Sequence, residues 1–261
     1  MNLLIFIILV WLGSAAAMLV TWLIAKKYQN ISYVDVSWAL LMALTAILAA
    51  LMAPGDWLAR LAVAAFGGVW GARLFLHLLH RVLSEPEDGR YQALRATWNG
   101  NQKYLFVFFQ MQAIIVALFA IPFYAAASQA QIHSWQLFTA LVIWLLAMLG
   151  EAIADQQLAR WRNNPNNKGK TCRTGLWAWS RHPNYFFEWL HWFSYVVLAI
   201  NSDMFMLSLL GPILMLAFLY RISGIPWVEA QAIRTRGADY LEYQKQVNAF
   251  FPYPPKKPHE T

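Results

Sequence analysis

Long apolar runs alternate with short polar breaks along almost the whole chain. The runs cover Leu3 to Ile24, Val34 to Met52, Trp57 to Leu79, Tyr104 to Ala125, Trp135 to about Ala154, Tyr185 to Ile200 and Met204 to Tyr220. Each is roughly 16 to 23 residues long, against about 20 for a helix that crosses the hydrocarbon of a bilayer. The pattern predicts an all-α, polytopic integral membrane protein of about seven transmembrane helices. Only Asn201, Ser202 and Asp203 separate the last two runs, which predicts a tight helical hairpin. Small residues at Gly13 to Ala17 give the first run a superficial likeness to a secretory signal. It lacks a basic segment ahead of it, however, and stays apolar up to Lys26, so it is expected to remain as a span.

Composition agrees with lipid as the solvent. Of 261 residues 59% are hydrophobic and 13% charged, about half the charge of a soluble domain. The mean hydropathy is +0.41. Fourteen tryptophans suit the headgroup level, where amphipathic rings are favoured. No Pro/Gly/Ser-rich linker or repeat interrupts the runs, so a single membrane-embedded domain over 1–261 is expected. The lone Cys172 excludes an internal disulfide framework, and no Cys/His cluster has zinc-site spacing.

The formal charge of +7 does not point to nucleic acid, because the basic residues lie between apolar runs rather than on one soluble face. Membrane lipid and a phosphate-bearing ligand are the expected partners. With the N-terminus outside, nearly all of the 20 lysines and arginines fall on one side, and Arg60 falls on the other. The positive-inside rule therefore predicts an external N-terminus and a cytoplasmic C-terminus.

Polar residues inside or beside spans carry the candidate chemistry, since a charge in lipid is costly unless it is paired or faces a cavity. Arg73, His77 and Arg81 recur at helical spacing at the end of the third run. Glu151, Asp155 and Arg162 form a stripe as the fifth helix leaves the membrane. Next comes a basic, turn-rich segment, Asn163 to Gly175, with Lys168, Lys170 and Arg173. Pro165, Gly169 and Gly175 break the helix there and expose backbone N–H groups, which suits a phosphate. A solvated cytoplasmic loop would have the same composition, and that alternative stays open. The run Arg181-His182-Pro183-Asn184-Tyr185 follows, with Pro183 where a helix can begin. Asn184 and Glu188 then share a helical face.

This last run, with Thr174-Gly175-Leu176-Trp177 before it and an aromatic span after it, resembles the steroid 5α-reductase superfamily, most closely its uncharacterised bacterial branch. The similarity is sharpest over about 151–252. The resemblance implies NADPH as cofactor, held by the half of the chain from 135 to 261, with substrate-side helices in 1–134. Carried over, the family's acid falls on Asp155 and its basic partners on Arg162 and Arg173. The residues at the nicotinamide end fall on Asn184 and Glu188, with His182 and Tyr185 in the same motif. Arg90, after Gly89, resembles a family position near the phosphates, and Tyr240, after Asp239, a family Asp-Tyr pair. The family's Gln-Glu pair on an early span is missing, as is its tyrosine on the third.

The implied reaction is hydride transfer from NADPH to an activated carbon-carbon double bond of a lipophilic, steroid- or isoprenoid-like molecule in a bacterial inner membrane. A donor must then protonate the neighbouring carbon or its enolate. His77, Tyr91 and Asp35 are the candidates. An isoprenylcysteine-type methyltransferase using S-adenosylmethionine shares the motif up to Tyr185 and is the enzymatic alternative. A non-enzymatic membrane protein would leave the same polar residues as structural pairs.

Overall fold

The computed structural model describes residues 2–256, which are helical or in turns with no strand among them. The helices are α1 (Leu3–Tyr28), α2 (Tyr33–Met52), α3 (Trp57–Ser84), α4 (Gly89–Thr97), α5 (Gln102–Ala127), α6 (Ser134–Asn163), α7 (Pro183–Leu198), α8 (Phe205–Ser208), α9 (Leu210–Ala217), α10 (Ile225–Arg236) and α11 (Ala238–Gln246). Their starts follow from local chemistry. Asn2, Asp56, Asp88 and Asn101 each accept a hydrogen bond from the backbone N–H two residues on, at 2.7–3.0 Å. Such caps satisfy one of the donors that the first helical turn leaves over.

Among the described residues, six helical stretches are long and apolar enough to cross a membrane: Leu3–Tyr28, Tyr33–Met52, Trp57–Ser84, Gln102–Ala127, Ser134–Asn163 and Phe205–Arg236. Their exposed surface is rich in large apolar side chains such as Leu12, Leu51, Leu76, Phe138 and Leu146, as a lipid-facing surface requires. The protein is therefore a polytopic α-helical membrane protein. The expected run over Tyr185 to Ile200 becomes α7, which has 16 residues. At 1.5 Å per residue that is about 24 Å, short of the ~30 Å hydrocarbon core. The chain turns just beyond it, with Asn201 at a positive φ of 68°. The final run is also interrupted. Pro212 has no N–H to donate to the carbonyl of Ser208, so α8 and α9 stay separate. Phe218–Ile222 then form a π-helical turn before α10.

The chain forms two compact units, Met1–Ala140 with Tyr195–Gly211, and Leu141–Ser194 with Pro212–Thr261. In the first, α2 packs on α3, and α1 and α2 pack on α5. The buried Ala39, Ala43, Ala46 and Ala49 of α2 recur every three or four residues on one face. A Cβ added to Gly71 of α3 would stand 2.7 Å from the Ala43 backbone nitrogen, so only hydrogen fits there. Small residues permit this approach, and close packing replaces the hydrophobic drive that lipid cannot supply between spans.

In the second unit the Phe187 ring of α7 lies over Gly150 of α6, where an added Cβ would fall 2.3 Å from the ring. This approach brings Asp155 within reach of Asn184. Two 3₁₀ turns, Pro165–Asn167 and Gly175–Ala178, shape the connection between α6 and α7. The segment after α11 returns to α7's entry: Arg181 N–H donates to Asn248 O at 2.9 Å and Tyr253 N–H to Trp179 O at 3.0 Å. Phe186 and Trp189 pack edge-on against Phe250 there.

Candidate functional site

In the first unit a polar cluster forms where α2, α3 and α4 begin or end. The Arg90 guanidinium lies 3.2 Å from Asp35 and 3.1 Å from Asp88. Arg81, in the last turn of α3, reaches the same Asp88 at 2.9 Å. The Tyr91 hydroxyl donates to Asp35 Oδ1 at 2.5 Å, and Asp88 N–H donates to Ser32 Oγ at 3.0 Å. Burial, with Asp35 beside it, keeps the Tyr91 phenol protonated well above its ordinary range. Burial alone would raise the Asp88 carboxyl, but hydrogen bonds from Arg90 and the charges of Arg90 and Arg81 hold it below its usual value. Two cations thus face two carboxylates. Asp35, Arg90 and Tyr91 meet as neighbours, while His77 is exposed on α3. The Arg90 charge is matched by two acids, and the Tyr91 proton is already engaged.

A second network stands at the entry to α7. Arg181 Nε donates to Glu229 Oε1 at 2.6 Å, and the His182 ring lies 3.2 Å from the same oxygen. The Tyr240 hydroxyl donates to Glu229 Oε1 at 3.3 Å, and the Gln244 amide to Oε2 at 2.8 Å. Arg181 also caps the end of α11 through the carbonyls of Gln244 and Val247. Burial depresses the His182 ring's pKa, only partly opposed by Glu229. The ring stacks on Tyr185 at 5.3 Å between centroids. His182 and Tyr240 therefore tie α10 and α11 to α7.

The remaining sequence-derived positions of this unit fall into two sets. On α6 and α7, the Asn184 amide donates to Asp155 Oδ1 at 3.2 Å. Glu188 is buried one turn further along α7. Asp155, Glu188 and the Asn184 carbonyl form a patch of oxygen acceptors, which suits a ligand carrying N–H donors. On the connecting segment, Arg162, Lys168 and Lys170 are exposed. Arg173 is spoken for: it reaches Asp239 Oδ1 at 2.9 Å, while Thr171 N–H donates to Asp239 Oδ2 at 2.7 Å. These bonds hold the Asp239 carboxyl below its ordinary pKa against the opposing effect of burial. Asp239 thereby fixes one end of the basic segment and leaves the lysines at its turn facing outward.

Sequence reasoning missed Glu229, Gln244, Asp88 and Ser32. A signal for Glu229 exists: it is the one acid between Asp203 and Asp239, in a stretch with Arg221, Arg234 and Arg236. Asp88 could have been found as a capping residue ahead of Gly89-Arg90. No group of three or more metal-binding side chains occurs among the described residues.

A family model described as "Protein of unknown function (DUF1295)" matches residues 21–247. No curated protein and no solved structure matches the chain. The matched stretch spans most of the chain and includes both polar networks and the acceptor patch, and the chain belongs to the DUF1295 family.

Proposed function

We propose that the protein is an NADPH-dependent reductase that saturates a carbon-carbon double bond of a lipophilic, steroid- or isoprenoid-like molecule. In this reading it lies in a bacterial inner membrane, with its basic loops and C-terminus on the cytoplasmic face. The observation that carries the reading is the hydrogen bond between Asn184 and Asp155, with the buried Glu188 on the same face of α7. The two positions that resemble the nicotinamide end of a reductase site thus share a face of α7, and the family's helix-borne acid on α6 bonds one of them.

The donor set fits the cofactor at both ends. A carboxamide presents two N–H donors, which Glu188 and the Asn184 carbonyl can accept. Asp155 orients Asn184 by taking one of its amide hydrogens, so the carbonyl end is left to the ligand. Lys168 and Lys170, with Arg162, offer exposed cations to phosphate oxygens, and such charge-assisted bonds are the stronger kind. Bound there, NADPH supplies a hydride. The chain's own tasks are to hold the carboxamide in one orientation and to keep the phosphate-bearing end on the basic segment. Arg173 and Asp239 support that segment from behind.

Titrating purified protein in detergent or nanodiscs with NADPH, NADH and S-adenosylmethionine tests the proposal. The expected result is saturable NADPH binding, weaker NADH binding and none with S-adenosylmethionine. Binding of S-adenosylmethionine without NADPH would replace the reductase with a methyltransferase.

A further inference from the structure

A pocket in the first unit, apart from both polar networks, holds three buried polar atoms that make no hydrogen bond among the described residues. They are Trp22 Nε1, Arg95 Nε and Gln102 Oε1. All three residues line one space, with Ala25, Lys26 and Leu105 among its walls. Its interior has room for about one water-sized group, and it is open on one side. A buried polar group without a partner forfeits its hydration uncompensated, so three around one space call for an occupant.

Each atom is held in place by contacts on its far side. Arg95 uses its other nitrogens on Gln29 Oε1, on the Gln29 carbonyl and on Glu87, all at 2.8 Å. That leaves Nε–H for the pocket. The Gln102 amide nitrogen donates to Gly100 O at 3.2 Å, so its oxygen faces the space. The Trp22 ring meets Phe106 edge-on at 5.4 Å, and the Lys26 ammonium lies over it at 5.5 Å. The occupant must accept two hydrogen bonds and donate one. Phosphate and carboxylate oxygens only accept, and an ammonium only donates; a hydroxyl does both.

Position indicates what carries the hydroxyl. The pocket lies at the end of α1, an apolar span whose last turn carries Lys26 and Lys27. Lys26 is exposed at the wall. A basic residue beside a hydroxyl-binding pocket at the end of a span matches an anionic lipid whose headgroup ends in an alcohol. We propose that the pocket binds the glycerol headgroup of an anionic phospholipid, with a headgroup hydroxyl between Trp22, Arg95 and Gln102 and the phosphate at Lys26.

Native mass spectrometry of the full-length protein, released from nanodiscs of equal phosphatidylglycerol, phosphatidic acid and phosphatidylethanolamine, provides the test. Phosphatidylglycerol is expected to stay bound at several times the occupancy of the other two. Phosphatidic acid has the charge without the headgroup alcohol, and phosphatidylethanolamine has an ammonium in its place. Trp22→Phe keeps the ring and removes the donor, and Gln102→Leu removes the acceptor; each is expected to reduce phosphatidylglycerol retention about fivefold. Equal retention of the three lipids by the unaltered protein would overturn the proposal and leave the space to water. Selective retention that both variants preserve would overturn it too, by moving the headgroup elsewhere. Because the lipid comparison uses the unaltered chain, a variant that fails to fold does not block the test.

Discussion

The polar clusters of the two units differ in how their charges are matched and exposed. In the first unit Arg81 and Arg90 face Asp35 and Asp88, and the Tyr91 proton goes to Asp35, so the cluster satisfies itself. In the second unit the network around Glu229 is equally closed, but beside it lie an acceptor patch at Asp155, Asn184 and Glu188 and exposed cations at Lys168 and Lys170. A closed cluster fixes helix ends, whereas exposed cations such as Lys168 and Lys170 stay within reach of a ligand. The same residue types, acids and arginines near the ends of spans, thus serve two purposes, and the geometry of their partners separates them.

The largest effect that probes this contrast comes from Arg90→Met. The change leaves Asp35 and Asp88 without their shared guanidinium. These side chains are only partly buried, so the cost is less than the roughly 3 kcal/mol of a fully buried pair. Thermal unfolding in detergent should show a clear loss of stability, while NADPH affinity of the folded protein stays at its original value. Lost affinity at unchanged stability would turn the first unit's cluster into the binding site.

Acid titration sharpens the contrast. Burial depresses the His182 pKa below the ordinary 6.5, so as pH falls the unfolded chain takes up this proton before the folded one. Stability is therefore complete above about pH 6.5, and it declines as pH falls below that value toward the folded ring's own lower pKa. Asp88 acts in the same direction but in a lower window, because its pKa lies below the ordinary 3.8. Its contribution persists above that value and is lost only as pH falls through the folded pKa. Stability followed from pH 7.5 to 5 should thus fall in the unaltered protein and stay flatter in His182→Asn, whereas Asp88→Asn should leave the slope in that range unchanged.

A smaller effect is expected on the basic segment. Exposed ion pairs contribute roughly 0.2–1 kcal/mol each, so Lys168→Gln with Lys170→Gln should weaken NADPH binding about fivefold and leave NADH binding alone. Arg173→Gln should behave differently, since it frees Asp239 and loosens the segment, weakening both nucleotides together. Equal losses for NADPH and NADH in the double lysine variant would show that these lysines report topology rather than the ribose phosphate.

Much of the fold was legible because its signals are local. Six of the seven expected spans coincide with apolar runs, and Pro183 marked the start of α7. The helix ends were less legible. α3 continues past Leu79 to Ser84, carried by Arg81, whose pairing with Asp88 is a contact that hydropathy does not record. α7 ends at Leu198 because the chain turns before Asn201, and the π-helical turn after Ala217 left no trace in an apolar sequence. Of the candidate site, the motif from Arg181 to Glu188 could be read directly, being one continuous stretch. Its counterpart Glu229 could not, since it meets Arg181 from 48 residues away. Residue type alone points to Asp35 and Tyr91, and only the fold shows that they bind each other.

The central claim, that the second unit's acceptor patch reads a nicotinamide carboxamide, is tested most directly by titrating NADPH into folded Glu188→Ala and unaltered protein side by side. A hydrogen bond to a charged group contributes about 1.5–3 kcal/mol. The account predicts weaker NADPH binding by that amount in folded Glu188→Ala and a milder loss in Glu188→Gln. Unaltered NADPH affinity in folded Glu188→Ala would contradict it.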